Sequence, residues 1–208
     1  MSKDPENNIY VAADMYYKKE GESYIVIDKH NNNAQLDPTN LDDEIKIYQR
    51  EVKEWFLKPA QSLLQPSGHS FNNSLVVLMI CMSYIEGVEQ YKTGVSSDKQ
   101  SKDLFRLSII RMYPNESFSD SNINRLYSDS RCGLFHNGMV KAGVRFSDDY
   151  EKAIEFQNGG NIRINPRQLL KDVVADFDKY ILELNNITDP DSVARQNFDR
   201  MFKLAPKL

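Results

Sequence analysis

Leu75-Val-Val-Leu-Met-Ile-Cys-Met82 is the stretch that decides the fold class. It lies in the middle of a helix predicted from about Phe71 to Tyr91, and it is apolar nearly all round. A surface helix shows one apolar stripe, so this pattern marks a central, buried helix. It is also the longest apolar run in the chain, far short of the ~20 residues needed to span a bilayer. Gly94 and Ser96-Ser97-Asp98 stop the helix.

Upstream, Asn40 is a good N-cap with acidic residues in the turn that follows. Leu41, Ile45, Tyr48, Val52, Trp55 and Phe56 keep a three-four spacing that buries one stripe, and Pro59 is expected to kink or end that helix. Downstream, a third helix is predicted from about Ser97 to Tyr113, where Pro114 forbids continuation. A fourth begins near Ser119. The period then changes to two at Val144/Phe146, Ile154/Phe156 and Ile162/Ile164, with Asn158-Gly159 as a hairpin turn between the last two runs. Asn165-Pro166 opens a fifth helix with a clean stripe from Leu169 to Leu184, and Asp189-Pro190 opens a short sixth over about 190–203.

The first residues differ in character. Residues 1–8 read as frayed, Ile9–Val11 and Tyr24–Ile27 as a β-prone pair around Lys18-Lys-Glu-Gly-Glu22, and 29–39 as a polar connector. The expected organisation is an N-terminal extension over 1–39 and a helical domain over 40–208. The fold class is mainly α: an antiparallel helical bundle with extra C-terminal helices and a small antiparallel β-element near 143–165.

At 208 residues the chain is long enough for one well-cored domain. The N-terminus has no apolar segment of the secretory kind, and Cys81 and Cys132 are too few for a disulfide framework or a cysteine zinc site. A reduced, cytoplasmic setting without membrane attachment is the expectation. Cys81, inside the apolar run, reads as a small buried hydrophobe. The net charge of −4 argues against a general nucleic-acid coat protein. Residues 102–145 nevertheless hold seven basic side chains against four acidic ones, a local +3 that leaves −7 for the remainder. Such a distribution suits either a focused anion site or simply solvated helix faces.

Chemistry concentrates in Arg131-Cys132-Gly133-Leu134-Phe135-His136, late in the fourth helix. An arginine holds phosphate through a bidentate fork, and a histidine moves protons near neutral pH. The other histidines read differently: His30 as solvated among amides, His69 as structural or exposed at a helix entry. With Ile123 at 0° and 100° per residue, Ile123, Leu126, Tyr127, Ser130 and Leu134 fall within roughly 60° of zero and face the core. Arg131 falls near 80° and His136 near 220°, with Phe135, Met139 and Cys132 between them at about 120–180°. A second apolar stripe asks for a second cover, either a second copy of the chain or the C-terminal helices. Gly133 and Gly138 weaken the helix unless close backbone approach or a helix end is needed there.

Arg131, four residues and then His136, late in the last long helix of a four-helix core, is similar to the signature of the HEPN superfamily (higher eukaryotes and prokaryotes nucleotide-binding domain). Ser83-Tyr-Ile-Glu86 in the second helix fits the same family, and the resemblance covers about residues 40–185. It implies a homodimer whose paired motifs form one cleft and, in active members, a metal-independent endoribonuclease of toxin–antitoxin or phage-defence systems that needs no cofactor. His136 would then be the general acid or base and Arg131 the phosphate-stabilising cation. The resemblance leaves room for an antitoxin partner, and for a non-catalytic module that binds nucleotide, RNA or a partner protein. Active members usually carry a polar residue just after the arginine, where this chain has Cys132; Asn137 and Asp129 are the candidates to supply that contact. Glu86, a carboxylate in an apolar helix, is expected either to pair with an arginine or to border the site.

Overall fold

In the computed structural model, which describes residues 8–64 and 73–204, the apolar stretch lies inside helix α3 (Ser74–Thr93). His69 and Phe71, at the expected entry to this helix, lie outside the described residues. The chain is mostly helical. Ahead of α3 come α1 (Leu41–Val52) and α2 (Lys58–Leu63); after it come α4 (Ser101–Met112), α5 (Asp120–Leu126), α6 (Cys132–Asn137), α7 (Pro166–Asn186) and α8 (Val193–Leu204). α3 packs against α2, α4, α7 and α8, and Val77, Leu78, Cys81, Met82 and Ile85 are all fully buried. Among the described residues no helix is long and apolar enough to cross a membrane.

Local signals account for most helix ends. The Asn40 side chain accepts from the Asp42 and Asp43 amides, and that of Ser119 accepts from Asn122. Asn165 accepts from Gln168 and Pro166 takes N1, as the fifth helix requires. α4 starts later than its pattern suggests, because Lys99 at φ +61° interrupts the chain after Ser97.

Two helices contain a wide turn that a constant 3.6-residue period does not anticipate. Between α1 and α2, Lys53–Leu57 forms a π-turn in which the Lys58 amide reaches back to the Lys53 carbonyl. The wider turn sits immediately before Pro59, which has no amide hydrogen to offer, and the helix continues past the proline instead of ending there. The extra residue also shifts the phase. Trp55 and Phe56, expected on the buried stripe, are 47% and 45% exposed, while Leu57 and Ala60 take the core positions. The second π-turn, Tyr127–Arg131, lies between α5 and α6.

The N-terminal part is more ordered than a hairpin and connector. β1 (Ile9–Ala12), β2 (Met15–Glu20), β3 (Ser23–Asp28) and β4 (Ala34–Leu36) form an antiparallel sheet in chain order, turning at Gly21. Val11, Met15, Tyr17, Val26 and Leu36 join the same apolar cluster as the helices. His30, in the one-turn helix between β3 and β4, is exposed, with its ring nitrogen 3.5 Å from the Asp14 carboxylate. The later β-element comprises β5 (Val144–Phe146), β6 (Ile154–Phe156) and β7 (Ile162–Ile164). β6 and β7 form the antiparallel hairpin expected around Asn158-Gly159, and β5 joins the other edge of β7 in parallel. β7 takes the centre because Ile162 and Ile164 are both fully buried.

Candidate functional site

Arg131 is the last residue of the second π-turn, in which the Cys132 amide reaches back to the Tyr127 carbonyl. The turn has a packing cause. Leu126, Ser130 and Leu134 are all buried, and a spacing of four drifts by about 40° per step in an ordinary helix. A wider turn absorbs that drift and keeps the three in line under α3. Such turns recur at functional sites because they aim a side chain that regular geometry would direct elsewhere.

The guanidinium is held on several sides. Nε and Nη2 both lie 2.9 Å from Oε2 of Glu86, which α3 presents and which is 7% exposed. The Tyr127 ring centroid is 5.6 Å from the guanidinium carbon and that of Phe135 5.0 Å, so the cation sits between two aromatic side chains. Nη1 has no partner among the described residues. Glu86 is therefore an ion-pair partner of the motif arginine, and through it borders the candidate site. Burial raises the Tyr127 phenol above its ordinary value, contact with Cys132 adds to this, and its hydroxyl lies 2.7 Å from Ser101 Oγ.

His136 lies on the exposed side of α6, and no hydrogen bond or ion pair joins it to Arg131 among the described residues. Between them in the chain, Phe135 is 43% exposed, and Met139 just beyond is 59% exposed; Cys132 is half-buried. The second apolar stripe is thus not covered by α7 or α8. Asp129 belongs to a separate cluster: its carboxylate accepts from Ser128 Oγ at 2.7 Å and meets Lys141 at 3.3 Å. Asn137 ends α6. Gly138 adopts φ +69° and caps that end, and a Cβ on Gly133 would meet the Met139 carbonyl at 2.7 Å. Both glycines answer a backbone requirement.

A second polar assembly was not singled out by sequence. Arg111, at the end of α4, donates to Glu89 of α3 and Asp176 of α7, and Tyr84 donates to the same Asp176. Tyr113 donates to Asp172 one turn earlier on α7. Arg111, Tyr113, Asp172 and Asp176 floor a cavity of about 540 Å³ bordered by Lys92, Lys179 and Glu183. Burial, and then the neighbouring Arg111, hold the Lys92 ammonium below its ordinary pKa. Its sequence cue is a second carboxylate, Glu89, three residues after Glu86 on the same helix. The charges here are largely spent on one another, which makes the assembly a clamp between α3, α4 and α7. Among the described residues no group of three or more His, Cys, Asp or Glu could hold a metal ion.

Neither the protein-family models, nor the curated proteins, nor the solved structures give a match. The functional reading therefore rests on residues and geometry.

Proposed function

We propose that this chain is a HEPN-like protein that acts on RNA as a metal-independent endoribonuclease through Arg131 and His136, in a cleft completed by a second copy. One observation carries the reading: a π-turn delivers Arg131 to a buried carboxylate and two rings, leaving Nη1 without a partner among the described residues, while His136 stands exposed one turn on. Fixing a cation this firmly about one turn before an exposed histidine is costly for a surface accident and useful for holding a phosphate. Nη1 would donate to a non-bridging oxygen of the scissile phosphate and stabilise its developing charge. His136 would take the proton of the 2′-hydroxyl or return one to the departing 5′-oxygen. Attack of O2′ on phosphorus breaks the P–O5′ bond, giving a 2′,3′-cyclic phosphate and a 5′-hydroxyl. The uncovered stripe at Phe135 and Met139 supports the dimer, since a two-fold contact there would bring two motifs to one seam.

A second reading has its own support. Cys132 follows the arginine, and Glu86 already accepts one guanidinium hydrogen bond and pairs with the charge, an arrangement that suits a non-catalytic module binding nucleotide, RNA or a partner protein. Incubation of labelled RNA with the purified protein in EDTA separates the two. Cleavage by wild type and none by His136→Ala supports the nuclease. Intact RNA with both proteins, and RNA binding lost in Arg131→Ala, supports the binding module.

A further inference from the structure

The cavity floored by the Arg111 clamp contains one carboxylate that the clamp does not compensate. Glu89 and Asp176 are spent on Arg111, and Tyr84 donates to Asp176 as well. Glu183 is shared by the two lysines on the rim, 3.8 Å from Lys92 Nζ and 3.9 Å from Lys179 Nζ. Asp172 is different. Its Oδ2 accepts from the Tyr113 hydroxyl at 2.9 Å and its Oδ1 from Gln168 Nε2 at 3.0 Å, both neutral donors. It makes no ion pair among the described residues. A carboxylate offers about four acceptor positions, so about two remain on a half-buried residue that lines the cavity. The charge is felt nearby: after burial, Asp172 is the next cause that raises the Tyr113 phenol.

Size and lining suit a small molecule. About 540 Å³ falls within the range of about 300–1,000 Å³ usual for ligand pockets, and Met112, Tyr113, Pro114 and Ala175 supply apolar surface. Charge selects the occupant. Lys92, Arg111 and Lys179 face Asp172, Asp176, Glu183 and, behind Arg111, Glu89: three positive against four negative, a net −1. The imbalance is polarised along α7, because Lys179 lies seven residues beyond Asp172, about 10 Å along the axis. The lysine end holds an anion poorly: Lys92 already sits over the Tyr180 ring at 4.0 Å, and the Lys179 side chain is 75% exposed. A metal ion would need several ligands together, and among the described residues no group of His, Cys, Asp or Glu could hold one. A single ammonium needs only one open carboxylate.

We propose that this cavity binds a small organic cation, a protonated amine with an apolar body, its ammonium on Asp172 and its body against Met112, Pro114 and Ala175. The site stands apart from the RNA reading, since neither Arg131 nor His136 lines it. The probe is benzylammonium, with benzyl alcohol and benzoate as its neutral and anionic counterparts, each titrated into the full chain by calorimetry at low salt. Benzylammonium binds with a Kd below about 1 mM, and both counterparts bind about tenfold more weakly or worse. Asp172→Asn, which keeps an oxygen for Tyr113, weakens benzylammonium by about tenfold or more and leaves benzyl alcohol unchanged. Ala175→Leu, which narrows the cavity without altering a charge, also weakens benzylammonium, and far-UV circular dichroism of both variants matches wild type. Absence of benzylammonium binding up to about 10 mM overturns the inference. So does benzyl alcohol or benzoate binding as tightly as the amine, or an Asp172→Asn protein that binds like wild type. Should Asp172→Asn fail to fold, Ala175→Leu and the three-probe comparison decide: binding indifferent to the leucine, or to the charge of the probe, refutes the site.

Discussion

Replacing Glu86 measures how firmly the motif arginine is held. Nε donates one hydrogen bond to Oε2 at 2.9 Å, and Nη2 forms an ion pair with the same oxygen at 2.9 Å. A hydrogen bond to a charged group is worth about 1.5–3 kcal/mol and a neutral one about 0.5–1.5, so glutamine, which keeps an oxygen, loses about 1–1.5 per bond. The one hydrogen bond gives about 1–1.5 kcal/mol, and the charge attraction lost with it adds about 0.5–1 kcal/mol. The Arg131 side chain is 21% exposed, and solvent returns part of the loss. The expected cost of Glu86→Gln is then about 2 kcal/mol, or a melting temperature about 4–8 °C lower. Glu86→Ala, which leaves the cation with no partner, costs about 3–4 kcal/mol. A double-mutant cycle with Arg131→Ala isolates the pair, read by chemical unfolding of all four proteins. The coupling should be about 2 kcal/mol; a value below about 0.5 would show that Arg131 is not held by Glu86, and the geometry behind the proposed site would fall with it.

The clamp predicts a comparable loss away from the site. Arg111→Ala leaves Glu89 and Asp176, both largely buried, without their cation and lowers stability by about 3 kcal/mol in urea unfolding, with no effect on RNA affinity. Alkaline pH acts through the phenols. Burial raises Tyr48, Tyr84, Tyr91, Tyr113 and Tyr180 above their ordinary value and, with Glu51 and Glu44, pushes Tyr17 up to about 12. Above the ordinary tyrosine value of about 10 the unfolded chain releases protons that the folded chain keeps, so stability falls from about pH 10 upward. Lys92, shifted down by burial and Arg111, works in the opposite direction, but it is one group against several. Melting temperature and the tyrosinate absorbance, followed together through that range, check the sign; phenols that titrate before the fold melts would contradict it.

The parts of the fold legible in the sequence are those fixed by local chemistry. Asn165-Pro166 and the stripe behind it specify α7 without reference to anything distant, and Leu75–Met82 marks α3 as central. The π-turns were illegible because a wheel at constant pitch assigns every residue a fixed angle, and one inserted residue moved Trp55 and Phe56 off the core. β2 and β4 were hidden for another reason. Lys18-Lys-Glu20 and the three residues Ala34–Leu36 lack an alternating apolar pattern and become strands by pairing with β3 on either side. At the site, Glu86 stood out as a carboxylate in an apolar helix, but its partner lies 45 residues away. Asp129 was named for its nearness to Arg131 in the chain, and the fold spends it on Lys141.

The same pairing limits how RNA can be attracted. Of the seven basic side chains between 102 and 145, Arg106 is tied to Asp120, Arg111 to Glu89 and Asp176, Arg125 and Lys141 to Asp129, and Arg131 to Glu86. A cation already neutralised brings no net charge to a phosphate and displaces no counterion. Lys102 and Arg145 make no ion pair among the described residues, and two copies of each neutralise about four phosphates, a log–log salt slope of about −2.8 for a single strand. The slope is measured from fluorescence anisotropy of labelled RNA over a salt series. A value near −10, corresponding to about fourteen cations from the two copies, would mean that the ion pairs open on binding and that the basic segment acts as a whole. Glu86→Gln frees one cation per chain without adding any, so a dimer carrying it should steepen the slope by about 1.4. An unchanged slope would place the phosphate away from Arg131, and the motif would then have no role in holding RNA.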